Sequence, residues 1–143
     1  MSGPSLYKLD AHRSIHEGVF TEGRDLLELL LKVLHEKADN YEKHALMAAE
    51  ALVEHWETRL IAHADSEEEG FYLEKVKQNP DLLEKVTWLK RDHEIFRIIV
   101  KEIRELLRAG KITEDIIDRF KAISVIGKIH NEDEETYLFD DHS

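Results

Sequence analysis

Cysteine is absent from the 143-residue chain, which excludes disulfides, iron-sulfur clusters, thiolate zinc sites and a cysteine nucleophile. Any metal must be held by nitrogen and oxygen. Proline and glycine are scarce, at 2 and 6 residues, and strand-like alternation is missing, so long helices are expected to dominate. No run approaches the roughly 20 apolar residues of a membrane span, and "MSGPSLYKLD" lacks the apolar core of a signal peptide. A soluble, cytoplasmic protein is the expectation. Basic residues are also short: 20 Lys and Arg stand against 31 Asp and Glu. The formal charge of −11 argues against a nucleic-acid or anionic-membrane partner and is compatible with cation binding. With 42% hydrophobic and 36% charged residues, the composition suits one globular domain over residues 1–143.

Three breaks divide the chain: "ADN" at 38–40, "QNP" at 78–80 and "AGKIT" at 109–113, where Gly110 suits a helix C-cap and Thr113 an N-cap. Long helices joined by short links predict an all-α, up-down-up-down antiparallel four-helix bundle. Apolar stripes at steps of three and four mark the faces that such a bundle buries. In the third segment the stripe is Leu82, Val86, Leu89, His93, Phe96, Val100, Ile103 and Leu107. In the fourth, Ile116, Phe120, Ile123, His130, Glu134 and Tyr137 share a face, with Gly127 or Ile126 completing the turn before His130. The second gives Ala49, Leu52, Trp56, Leu60, His63, Glu67 and Gly70, and the first His12, His16, Val19, Gly23, Leu26, Leu30 and Val33. Gly18 and Gly23 weaken the first helix by up to about 1 kcal/mol each, so close packing or a bend is expected there.

Polar residues therefore interrupt every stripe. Counted from the turns, His12 and His16 lie about as far from the first break as His63 and Glu67, and His93 matches His130 and Glu134 across the third. The polar positions come to one level. A weak internal repeat runs through them: His12 followed by "HADSEE", then His93 followed by "HNEDEE", with Tyr72 and Phe139 nine positions after the second histidine of each half. On this overlay His16 corresponds to Arg97.

Burying an isolated carboxylate costs more than the net stability of a domain unless it is protonated or paired. Divalent cations resolve that cost for Glu67 and Glu134, because a carboxylate can bridge two ions while imidazoles fill the terminal positions. His16 is open at this stage to three roles: a fifth histidine ligand, a supporting group or a surface residue. His35, His44, His55 and His142 fall off the predicted seams or near ends and are expected to be ordinary histidines rather than ligands. Glu68 and Glu135 are expected in solvent or behind the ligands. Tyr137 is open either to packing or to a hydrogen bond with a small molecule at the metals. None of the 9 histidines has the glutamate three residues earlier that ferritin-like di-metal bundles use, and "HEIFR" fails the HExxH zinc-protease pattern.

The stretches "LDAHRSIHE", "HADSEE", "RDHEIF" and "HNEDEETYLF" together resemble the four helices of a hemerythrin-like domain, the HHE cation-binding family. The resemblance covers nearly the whole chain. It implies a metal-binding, non-haem di-iron centre with terminal ligands His12, His63, His93 and His130 and bridging Glu67 and Glu134. An oxo, hydroxo or water bridge between two Fe ions is expected with it. Oxygen-carrying members have a histidine where this chain has Arg97, leaving four histidines, or five if His16 compensates. The function implied is oxygen binding, or reaction with oxygen, nitric oxide or peroxide, at an open iron position. The alternative is a non-catalytic iron or oxygen sensor, or an iron donor for repair of damaged iron-sulfur clusters. Manganese and zinc share the same nitrogen and oxygen preferences.

Overall fold

The backbone at the three breaks follows from the residues there. Lys37 and Asn40 adopt positive φ, 50° and 61°, and end α1 (Gly3–Glu36). At the second break the Asn79 side chain accepts the Asp81 backbone N–H at 3.1 Å, and Pro80 has no N–H to continue a helical ladder. The second helix, α2 (residues 41–78), stops here, and a 3₁₀ turn (Pro80–Leu82) leads into α3 (Leu83–Leu107). Gly110 supplies a φ of 76°, and Thr113 accepts the Ile116 N–H at 3.4 Å to start α4 (Glu114–Leu138). The computed structural model describes residues 3–139, with side chains from residue 9 onward. Among these residues there is no strand, and the fold is all-helical with four helices. His142 lies outside them. No helix among the described residues is long and apolar enough to cross a membrane.

Helix α2 is not uniform, and its inward face changes phase along its length. Two π turns, Trp56–Ile61 and Glu67–Phe71, interrupt it, marked by i→i+5 bonds from the Ala62 N–H to the Glu57 carbonyl and from the Tyr72 N–H to the Glu67 carbonyl. Each π turn uses more residues than an α turn and shifts the phase of the faces behind it. Gly70, expected on the buried face, is exposed, and Tyr72 takes the inward position five residues after Glu67. His55, off the predicted seam, nonetheless faces inward. It is buried just before the first π turn, with its Nε2 2.7 Å from the Val19 carbonyl oxygen. His35 and His44 are exposed as expected.

The inward faces form two apolar clusters. The larger unites Val19, Leu30, Leu52, Trp56, Phe96, Ile103, Phe120 and Ile123, and the smaller unites Leu9, Tyr72, Val86, Leu89, Leu138 and Phe139. In chain order the polar positions fall between the two on every helix, so a polar layer is sandwiched by apolar ones. Helix α1 packs on α2 and α4, and α3 packs on the same two. Glycine permits the closest approaches: a Cβ at Gly23 would overlap the Trp56 ring, and one at Gly127 the Phe20 ring. Gly18 meets open space and has no such role. On α4 the buried residue at the end of the stripe is Leu138, while Tyr137 is half-buried against Trp88 and under Lys85 Nζ, which lies 4.9 Å from its ring centre.

Candidate metal centre

One helical turn separates the two polar residues on α1, on α2 and on α4, so each pair leaves one face. The fold brings all seven positions together. His12, His16, His63 and Glu67 form one group, and Glu67, His93, His130 and Glu134 a second, each offering one donor atom within 4.8 Å of the others in its group. Both carboxylates reach across the layer. Glu67 Oε2 lies 3.1 Å from His12 Nε2 and 3.4 Å from His63 Nε2, while its Oε1 is 3.3 Å from His93 Nε2. Glu134 Oε1 lies 3.6 Å from His12 Nε2 and 3.4 Å from His16 Nε2, and its Oε2 is 3.5 Å from His130 Nε2. His16 is thus a buried neighbour of Glu134 and not a surface residue.

Glu67 and Glu134 are 4% and 0% exposed, an expensive pair to hold without compensation. Burial pushes the Glu67 carboxyl up, but the hydrogen bond from His12 and the close approach of the His63 and His93 rings outweigh it and hold the group below the usual carboxylate range. Glu134 goes the other way, raised by burial and by the charge of Glu67. Burial lowers His16 to about 3, so its ring stays neutral and keeps a lone pair for a cation. Burial also opposes a charge on His130, yet Asp92 and Glu134 together push it up to about 9.

A second layer orients the rings. Glu68 Oε2 accepts from His93 Nδ1 at 2.8 Å and Asp92 Oδ2 from His130 Nδ1 at 2.8 Å, which turns each Nε2 toward the cluster. Arg97 supports this layer from outside: its Nη2 donates to Glu68 at 2.8 Å and to Asp65 at 2.6 Å. Glu135 is drawn to Arg13 Nε at 2.8 Å, across α1 and α4. The Tyr72 hydroxyl donates to Glu134 Oε2 and lies 3.3 Å from His93 Nε2. Burial first, then the charges of Glu134 and Glu67, push that phenol well above its usual range.

Aromatic rings close much of the perimeter. Phe71 and Phe139 pack on His12, with ring centres 4.7 and 5.0 Å away, and Phe96 meets His130 edge-on at 5.7 Å. Phe96 thus touches the site from the edge of the larger apolar cluster, which also holds Trp56 and Phe120. Between α1 and α4 a cleft of about 520 Å³, lined by His16, Phe20, Thr21, Ser124, Lys128 and Asn131, reaches the cluster at His16.

The donors present fit a cation. His63 Nε2, Glu134 Oε1 and His16 Nδ1 are buried without a hydrogen-bond partner among the described residues. Unpaired buried polar atoms cost about 1–3 kcal/mol each, and a cation at the cluster satisfies the first two. The all-nitrogen-and-oxygen set suits a divalent transition metal.

Sequence patterns located every member of the two groups and missed what surrounds them. Asp92 gave no signal because its partner, His130, is 38 residues away. The tyrosine hydroxyl at the cluster belongs to Tyr72, not Tyr137: the repeat marked Tyr72 as an aromatic position, but the phase shift that turns it inward is a property of the π turn. Comparison of the chain with protein-family models, curated proteins and solved structures found no match.

Proposed function

We propose that this cluster is a non-haem di-iron centre in an up-down-up-down hemerythrin-like bundle, and that it binds or reacts with oxygen, nitric oxide or peroxide at an open iron position. His12, His63, His93 and His130 are its terminal ligands, His16 a fifth imidazole, and Glu67 and Glu134 its bridges. The observation that carries the reading is the reach of the two carboxylates: Glu67 has one oxygen at the imidazoles of α1 and α2 and the other at His93 of α3, and Glu134 has one at the imidazoles of α1 and the other at His130 of α4. A single-ion site has no need of two carboxylates spanning two donor groups. When bound, an iron pair supplies one electron per ion to a small oxidant.

The protein's own residues do the rest. Glu68 and Asp92 fix the tautomers of His93 and His130. Phe71 and Phe139 restrict water at His12 and Phe96 at His130, which slows unwanted oxidation. The cleft beside His16 gives a small molecule a route inward. Seven candidate protein ligands shared between two ions, even with a solvent bridge, leave room for an external ligand.

The test is the double substitution Glu67→Gln and Glu134→Gln. Wild-type protein loaded with ferrous iron without oxygen should retain two irons per chain after desalting, and the double variant should retain none while staying helical. Two irons per chain in the variant would refute the assignment.

A further inference from the structure

Tyr72 touches the cluster, yet the ligand set above gives it no role. It is 1% exposed, so its hydroxyl has no solvent to bond. Its ring stacks on His93, with centres 5.4 Å apart and planes within 10°, which fixes where Oη sits. That oxygen donates to Glu134 Oε2 and lies 3.3 Å from His93 Nε2, the same two atoms that face the proposed metal position. Its counterpart in the internal repeat, Phe139, packs on His12 and brings no donor atom. The two ends of the layer therefore differ. At the His12 end the additional donor is the imidazole of His16, and at the His93 end it is a phenol oxygen.

We propose that Tyr72 Oη is itself a metal ligand, completing the position made by His93, His130, Glu67 Oε1 and Glu134 Oε2. The proposal rests on the metal-centre reading; with Tyr72 and a solvent bridge both ions are six-coordinate, so an incoming small molecule opens its position by displacing Tyr72 or the bridging solvent. Donors bound at about 2 Å around one ion lie about 3 Å apart, the spacing Oη already has from His93, so ligation needs no large movement. On ligation the O–H bond gives way to an oxygen–metal bond, the proton passes to solvent, and Glu134 Oε2 is released from accepting it. A cation reverses the local preference for a neutral phenol, as it does for bound water and thiols. The oxygen-rich end then suits the ion of higher charge, and the imidazole-rich end at His12, His16 and His63 suits a divalent one.

Wild type, Tyr72→Phe and Tyr137→Phe are loaded with ferrous iron without oxygen, exposed to air, and compared for iron content, visible absorption and resonance Raman scattering. Wild type should show a phenolate-to-iron band that enhances tyrosine ring vibrations. Tyr72→Phe should lose both, and Tyr137→Phe should keep both. Iron-loaded wild type without those vibrations, or Tyr72→Phe that keeps them, overturns ligation and leaves the metal centre standing. Wild type that takes up no iron overturns both readings. Loss of iron from Tyr72→Phe together with phenolate vibrations in wild type supports ligation.

Discussion

Asp92→Asn removes a charged acceptor while keeping its shape, and its consequence depends on pH. Asp92 Oδ2 accepts the His130 Nδ1–H at 2.8 Å behind a ring that is 3% exposed. Loss of such an outer partner typically weakens metal binding 10–100-fold, about 1.4–2.7 kcal/mol. An opposing effect comes from the proton. Burial disfavours the charged ring, but Asp92 and Glu134 hold the His130 proton up to about 9 in the metal-free protein. At pH 7 that proton must be displaced across about two units, which costs about 2.7 kcal/mol at about 1.36 kcal/mol per unit. Asparagine relieves part of this cost. The two effects are comparable near neutrality, and only the first survives above the folded pKa. Affinity of the wild type for zinc(II), a redox-silent probe, should rise with pH and level near about 9. The variant should level at lower pH, binding about 10–100-fold more weakly at about pH 9.5 and much closer to wild type at pH 7. Competition with a chelator across this range measures both curves. Curves that remain parallel, or that coincide at high pH, would refute the reasoning.

Three further outcomes follow from the packing and the outer layer. Gly23→Ala and Gly127→Ala force a methyl group into the Trp56 and Phe20 rings; overpacking of about 1–3 kcal/mol, less about 1 kcal/mol of helix propensity, should lower the urea midpoint. Gly18→Ala, with open space around it, should add up to about 1 kcal/mol of stability and so raise that midpoint, and equal shifts for all three would contradict the contacts. Arg97→Ala leaves the Glu68 contact with His93 in place, so metal affinity should fall by less than the roughly tenfold floor for a direct imidazole partner; a larger loss measured by chelator competition would mean that Arg97 holds the ligand geometry itself. Metal at a hundredfold excess over its Kd should add about 2.7 kcal/mol to folding stability, or about 10 °C in thermal midpoint, and an unchanged midpoint on chelation would show that the folded form is not the binding form.

Periodicity made the positions of the cluster legible and left their surroundings obscure. The α3 seam from Val86 to Leu107 is buried as its three-and-four spacing requires, and His93 sits in it because the stripe continues on both sides. Counting from turns worked for the seven cluster residues because rise per residue along a helix is nearly constant. It failed after Glu67, where the π turn moves Tyr72 inward and Gly70 outward, since an i→i+5 bond leaves no composition signature. His55, off the predicted seam, is buried beside the other π turn, bonded to the Val19 carbonyl and outside the cluster. The substitution of arginine at position 97 was visible, but its destination was not: whether that side chain meets the cluster or turns to Asp65 and Glu68 depends on groups 32 and 29 residues distant.

The most direct measurement is iron per chain together with the visible spectrum, taken after ferrous loading without oxygen and again after oxygen is admitted. Two irons per chain and a new charge-transfer band on oxygenation are expected, with reversal on deoxygenation marking oxygen binding and irreversible oxidation marking sensing, repair or peroxide chemistry. Protein that remains folded, retains no stoichiometric metal and develops no band would contradict the central claim, because Glu67 and Glu134 would then be held in the core without a cation.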